Sequence, residues 1–399
     1  MATATAANTT INQPGIIQYN RIDVIDVLRG FALLGIVVVH ATFAYGIMQM
    51  PLHSRADNML LQAINYLVEG KFYAIFSFIF GLSFAIQLQS ASAKKRNFTR
   101  YFVWRSLILL VIGYVHLLFY TGDVLYKYAL LGLLLLLANK LNNKVLIGLS
   151  IVLIFFAPFL RKVPAIISPK QLTEAQIRSR DNYNATKIAL AANAFKAKTS
   201  GTIGDVLATN VALIKKFWKD FQDIYFLILG LFLLGLVAGR EKLFVYTVAH
   251  AKLFTRILIY SLAAAMFLFA LRKFAAAEAA AVIYTFNQIA LACVYVAGVT
   301  LLYWKTPFKV ILDALSPAGK MGLTTYMLQT LFGLVYFYHF GFGMAGRLGL
   351  AQAVGSGMLF YMIQVIIARW WMSRFRFGPV EWAWRSLTYL KWQPMLKEK

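Results

Sequence analysis

Cysteine is nearly absent: Cys293 is the one thiol in 399 residues, and it sits inside an apolar run. That excludes a disulfide framework and a thiolate metal site. Acidic residues are also scarce, 15 against 40 Lys and Arg, which leaves a formal charge of +25. Such a charge suits nucleic acid, but no recognition module accompanies it, so no nucleic-acid partner is expected. The five histidines are far apart and form no His-x-x-x-His pair, so no metal is expected either. No glycine-rich phosphate loop precedes a helix, which speaks against nucleotide hydrolysis. Neither a repeat of roughly 20–50 residues nor an inverted repeat is found, which weakens the usual transporter architecture. Residues 1–20 lack the basic region and cleavage site of a signal peptide and read as a disordered N-terminus.

What the chain has in excess is apolar surface. Hydrophobic residues make up 60% and the mean hydropathy is +0.66, against about 45–50% apolar residues in a soluble domain. Apolar runs of roughly 18 or more residues recur, each long enough to cross about 30 Å of hydrocarbon. The chain therefore reads as an all-α integral membrane protein of the plasma (inner) membrane, lipid-embedded and multi-pass. Ten transmembrane helices are expected near 27–48, 71–90, 102–120, 124–139, 144–160, 222–239, 253–271, 280–303, 319–338 and 351–372. This gives membrane helices 1–5 within 21–160 and helices 6–10 within 221–372. With the N-terminus inside, the cytoplasmic segments hold 23 Lys and Arg, and the opposite side holds 6 outside its one long segment. Long segments cross largely regardless of charge, so the bias predicts both termini cytoplasmic.

That long segment, 161–220, is an extracytoplasmic connector or cap, read as one or two short helices on the outer face. Residues 52–70 are amphipathic and predict a short interfacial helix. The tail, 373–399, carries Arg374, Arg376, Glu381 and Arg385 and cannot span. It predicts a segment folded back under the bundle at the cytoplasmic interface, with Trp382, Trp384 and Trp392 at headgroup level. Glu381 is there to pair an arginine.

Ionisable groups inside a membrane are costly, which makes each one a functional candidate. Asp26 and Arg29 are three apart on the first helix and so lie on one face, where each neutralises the other. A helix-start ion pair at the headgroup boundary explains them equally well. His40 follows Arg29 by eleven residues, on the same side and about 16 Å deeper. Apolar surroundings favour a neutral imidazole, the form that accepts a proton from a hydroxyl. His116 and Asp123 are seven residues apart, nearly on one face but separated by about 10 Å of helix, too far for a direct hydrogen bond. Gly122 offers a place for the chain to bend. His53, just beyond the first helix, would meet a substrate from the far side. Each of these histidines has a structural reading beside the functional one. Gln87, Asn287, Gln288, Gln329 and Gln364 either line a cavity or bridge helices.

Six stretches together resemble the bacterial membrane-protein family called domain of unknown function 418. They are RIDVIDVLRGFALLGI, GKFYAIFSFIFGLSFAIQL, GYVHLLFYTGDVLYKYAL, FLILGLFLLGLVAGR, GKMGLTTYMLQTL and FRFGPVEWAWRSLTYLKWQP, which span nearly the whole chain. The Asp26-x-x-Arg29-Gly30 start is also similar to that of transmembrane acyltransferases, including acyltransferase family 3 and the heparan-glucosamine acetyltransferases. Acyltransferase family 3 carries Arg, ten residues, then His on its first helix, a spacing met by Arg29 and His40. The nearer family has asparagine where this chain has His40. The heparan enzymes place a working histidine after the first helix, where His53 roughly corresponds. The resemblance implies a transmembrane-acyltransferase-like bundle and transfer of an acyl group from cytoplasmic acyl-CoA to an acceptor hydroxyl or amine at the outer face. The acceptor would be an envelope glycan or a small molecule. His40, His53 and His116, the last with Asp123, remain candidates for the base, and Asp26 and Arg29 for the donor site. The same polar pocket would also suit an exporter of a small amphipathic molecule, or its residues would fill helix contacts in a non-catalytic subunit.

Overall fold

The computed structural model describes residues 22–44, 54–95, 97–159, 174–217, 222–305 and 307–398. The N-terminal residues 1–20 and His53 lie outside these. Sixteen α-helices follow one another among the described residues: α1 (Asp23–Val39, continued by a π-helical turn His40–Ala44), α2 (Arg55–Leu67), α3 (Lys71–Ala93), α4 (Phe98–Phe119), α5 (Leu125–Ala138) and α6 (Asn143–Phe156). Then come α7 (Glu174–Ser200), α8 (Ile203–Phe217), α9 (Gln222–Arg240), α10 (Val248–Arg272) and α11 (Ala277–Tyr303). The last are α12 (Phe308–Asp313), α13 (Ser316–Lys320), α14 (Gly322–Phe337), α15 (Leu350–Arg374) and α16 (Pro379–Tyr389). No strand occurs among the described residues, where a single bridge joins Phe375 to Leu396.

Polar residues in the loops start these helices as their chemistry requires. Ser54, Asn97, Asn142 and Thr247 each accept a first-turn amide through the side chain, at 3.0, 3.1, 2.9 and 3.0 Å. Each satisfies a donor that the helix itself leaves open.

Each expected span coincides with a helix, but six segments of the described chain are long and apolar enough to cross a membrane. These are Asp23–Phe43, Arg55–Ala93, Phe98–Phe119, Val248–Arg272, Ala279–Tyr303 and Leu350–Arg374. Helices α5, with 14 residues, and α14, with 16, fall short of a full crossing, reaching about 21 and 24 Å at 1.5 Å per residue. Each packs one side against neighbouring helices and leaves another exposed, through Leu134 and Leu137 of α5 and Leu331 and Val335 of α14. The chain is a multi-pass α-helical membrane protein.

Helix α1 is central. It buries Val24, Val27, Leu28, Ala32, Leu33 and Val37, against α3, α11, α13, α14 and α15. Gly30 and Gly319 bring α1 and α13 close together. A Cβ on Gly319 would run into the Asp26 carbonyl, and one on Gly30 into that of Leu315. Tyr361 of α15 then donates to the Gly30 carbonyl at 2.5 Å. At the periphery, α10 turns Ile259, Tyr260, Met266 and Phe267 outward, as a lipid-facing helix does.

The 161–220 connector, described over 174–217, is larger than two short helices. With no Pro or Gly between 174 and 200, α7 runs unbroken for 27 residues, and α8 adds 15. Asn210 of α8 donates to the carbonyls of Leu118 and Phe119 at 2.9 and 3.2 Å, closing the end of α4. Lys198 accepts the His339 amide through its carbonyl at 2.8 Å. The tail folds back on the opposite end of α4. Trp384 donates to the Arg105 carbonyl, and Trp104 donates to that of Leu387, both at 3.0 Å.

Candidate active site

A cavity of about 1630 Å³ enters the bundle between α1, α3, α4 and the tail. Pockets that hold a drug-sized ligand are typically ~300–1,000 Å³, so this one has room for a larger molecule. Its rim carries Lys94, Arg100, Arg105, Lys242, Arg376 and Arg385. The Arg105 guanidinium lies 3.6 Å from the centre of the Trp384 ring, and that of Arg385 lies 4.4 Å from the Phe377 ring. Two acids also line the cavity, Asp26 and Glu381, and both are engaged. The rim is therefore a positive surface with aromatic faces.

Further in, Asp26 and Arg29 both face the cavity. Arg29 donates to Asp26 Oδ1 at 2.7 Å and to Ser83 Oγ of α3 at 2.5 Å. Asp26 is buried, whereas the Arg29 side chain remains 27% exposed toward the cavity. The pair fixes one guanidinium in place. Tyr128 and Tyr326 close the inner end, beside Val124 and Leu125.

Behind Tyr326 lies a buried polar chain. His116 Nδ1 is 2.7 Å from Asp123 Oδ1, and its Nε2 is 2.8 Å from Thr330 Oγ1 of α14. The reading from helix spacing, which kept His116 and Asp123 apart, is corrected here. Helix α4 stops at Phe119, and the turn 120–124 doubles back, returning Asp123 to the imidazole. Asp123 is fully buried; it also accepts the Tyr126 amide at 3.2 Å and the Tyr326 hydroxyl at 3.4 Å. A carboxylate only accepts, so His116 Nδ1 carries a hydrogen, and in the neutral imidazole Nε2 then accepts from the Thr330 hydroxyl. This wiring gives a hydroxyl, an imidazole and a carboxylate in the order used for nucleophilic catalysis.

His40 joins the same cluster from α1. Its ring centre is 4.5 Å from that of Tyr120 and 5.7 Å from Tyr326, and the same tyrosines flank His116 at 5.9 and 5.0 Å. Asp26 and Arg29 line the cavity and His40 does not, because the rings of Tyr120 and Tyr326 stand against it. Of the histidines singled out from sequence, the fold brings His40 and His116 together. His250 instead holds the Val245 carbonyl at a helix start.

Spacing along the chain did not single out Thr330, Tyr326 or Ser83. Tyr326 and Thr330 are four apart in one helix, which puts them on one face. The intramembrane amides mostly bridge helices. Gln329 donates to Leu33 O, Gln364 to Thr325 O and Asn287 to Ala265 O, while Gln87 lines the cavity. Glu381 has no arginine partner among its hydrogen bonds. It accepts the amides of Leu323 and Thr324 and the Thr324 hydroxyl, at 2.6, 3.0 and 2.5 Å. The first turn of α14 offers these open donors, which a carboxylate two helices later fills. Among the described residues, no group of three or more His, Cys, Asp or Glu could hold a metal ion.

Two family models divide the chain. Residues 21–240 match the one described as heparan-alpha-glucosaminide N-acetyltransferase, catalytic, and residues 238–391 match protein of unknown function (DUF418). The first match covers more than half of the chain, which belongs to that family. The first match carries Asp26, Arg29, His40, His116 and Asp123, and the second carries Tyr326, Thr330 and Glu381, so the site is built across both. The uncharacterized protein YxaH of Bacillus subtilis (strain 168) is 29% identical over 95% of this chain and 96% of its own length. The uncharacterized 39.9 kDa protein in the amylase 3′ region of Bacillus acidopullulyticus is 28% identical over 95% and 97%. The uncharacterized protein YeiB of Escherichia coli (strain K12) is 25% identical over 91% and 95%. No solved structure matches the chain.

Proposed function

We propose that this protein is a bacterial inner-membrane acyltransferase. It takes an acyl group from cytoplasmic acyl-CoA and passes it to a hydroxyl or amine of an envelope glycan or small molecule at the outer face. One observation carries the reading: a large cavity with a basic, aromatic rim runs inward to Tyr326, directly against the His116–Asp123 pair. The arginines of the rim suit the phosphates of a CoA donor, and the half-buried rings beside them suit its base. Arg29 provides a fixed positive charge along the way. His116, held by Asp123, acts as the base. The rim residues belong to the loops, the first turns of α4 and the tail, which the charge bias assigns to the cytoplasm, and this fits entry of the donor from there. The acetyltransferase family model over 21–240 supports the same reaction class.

The test is calorimetry of acyl-CoA with the purified protein, followed by transfer to acceptor fractions in proteoliposomes. The wild type should bind and transfer. Asp123→Asn should bind equally well, while turnover falls by about 10³–10⁴-fold, because an amide beside Nδ1 permits the wrong tautomer. A wild-type protein that binds no acyl-CoA would remove the enzyme reading in favour of export.

A further inference from the structure

We infer that Thr330 is the acyl carrier of this reaction, holding the acyl group as an ester between donor and acceptor. The inference rests on the acyl-transfer reading and adds a covalent step to it. Its ground is where the Thr330 hydroxyl points. Serines and threonines inside helices usually return their hydroxyl to the carbonyl one turn back. In this protein Thr42, Ser77, Ser83 and Thr300 all do so, at 2.8, 2.8, 2.6 and 2.6 Å. Thr330 instead reaches out of α14 to His116 Nε2 at 2.8 Å, and Asp123 holds the other face of that ring at 2.7 Å. All three side chains are buried. A buried hydroxyl held on the accepting nitrogen of an oriented imidazole is an activated nucleophile.

The location suits a relay between two sides of a membrane. Toward the cavity, Tyr326 lies one turn before Thr330 on α14, about 6 Å along the axis, and its ring is the wall that the donor meets. Toward the other end of α4, the α7–α8 pair covers the turn that carries Asp123, through Asn210 on the carbonyls of Leu118 and Phe119. With an ester on Thr330, donor and acceptor need never occupy the site together. Swinging the Tyr326 ring aside admits the thioester.

The two half-reactions balance. In the first, Thr330 Oγ1 attacks the thioester carbonyl while His116 Nε2 takes its proton. The carbon–sulfur bond breaks, and the proton passes from His116 to the sulfur, releasing free CoA thiol. In the second, the acceptor hydroxyl or amine attacks the ester carbonyl and gives its proton to His116. The carbon–oxygen bond to Thr330 breaks, and Thr330 regains its proton from the imidazole.

The experiment is acyl trapping on the full-length protein in nanodiscs, without acceptor. Radiolabelled acetyl-, octanoyl- and palmitoyl-CoA serve as probes, followed by acid quench and peptide mapping. One acyl group should appear on the peptide containing Thr330. It should resist neutral hydroxylamine and yield to alkali, as an oxyester does; a thioester or acyl-imidazole would be released by the first reagent. Thr330→Ser, which keeps the hydroxyl, should still take the label. Thr330→Val, of nearly the same shape, should bind acyl-CoA as before but lose the label, with turnover down at least about 10³-fold. Wild-type turnover in Thr330→Val, or an active wild type whose label is absent or lies on another residue, would overturn the inference and leave acyl transfer standing. Failure of the wild type to bind or transfer from any acyl-CoA would overturn both.

Discussion

Removing the acceptor at Glu381 should release the tail from the bundle, whereas removing its charge alone should do little. The carboxylate takes two amides from the first turn of α14 and the hydroxyl of Thr324, from a part-buried position. Glu381→Ala strands all three donors. Each buried donor left without a partner costs about 1–3 kcal/mol, and partial access of water places the total near 2–4 kcal/mol. Glu381→Gln keeps one carbonyl oxygen for the two amides and loses the acceptor of the Thr324 hydroxyl, a cost of about 1 kcal/mol. The charge itself contributes little net, because burial raises the Glu381 carboxyl above its ordinary value despite the bonds from Thr324 and Leu323. The folded protein thus holds this proton more tightly than the unfolded chain. Stability therefore falls as pH rises from the ordinary carboxylate range through the raised value, and is level above it. Glutamine lacks that slope. Thermal unfolding can be followed through the single thiol, Cys293, with a dye that fluoresces on reaction, alongside proteolysis of the tail. Equal damage from Gln and Ala, or a wild type whose stability climbs with pH over that range, would refute the reasoning. Attraction between the charge and the α14 dipole would then be what holds the tail.

Gly319→Ala should lower the unfolding temperature by several degrees, a cost of about 1–3 kcal/mol, because its Cβ would enter the Asp26 carbonyl at the crossing of α1 and α13; an unchanged midpoint would mean that the crossing is looser. Topology is testable in a Cys293→Ser background with a membrane-impermeant thiol reagent: a cysteine at Leu190 should react in intact cells, and one at Val245 only after permeabilisation. Reversed labelling would overturn the orientation drawn from the Lys and Arg counts.

Sequence by itself determined what depends on neighbours along the chain. Hydropathy fixed the membrane class and a helix at each expected place, since lipid obliges every backbone group to bond within its own segment. Three-residue spacing fixed the Asp26–Arg29 pair, now seen at 2.7 Å. The caps at Asn97 and Asn142 are local in the same sense, each bonding an amide three residues on. Helix arithmetic failed where the helix ended: it kept His116 from Asp123 because it carried α4 past Phe119, where the chain in fact reverses. Tertiary structure alone decided the remaining links. Thr330 meets His116 across 214 residues, and Glu381 meets Leu323 across 58. In both cases a polar atom in a low-dielectric interior takes whatever partner the packing supplies. Periodicity records which side of a helix faces inward, and it carries no record of which helix stands opposite.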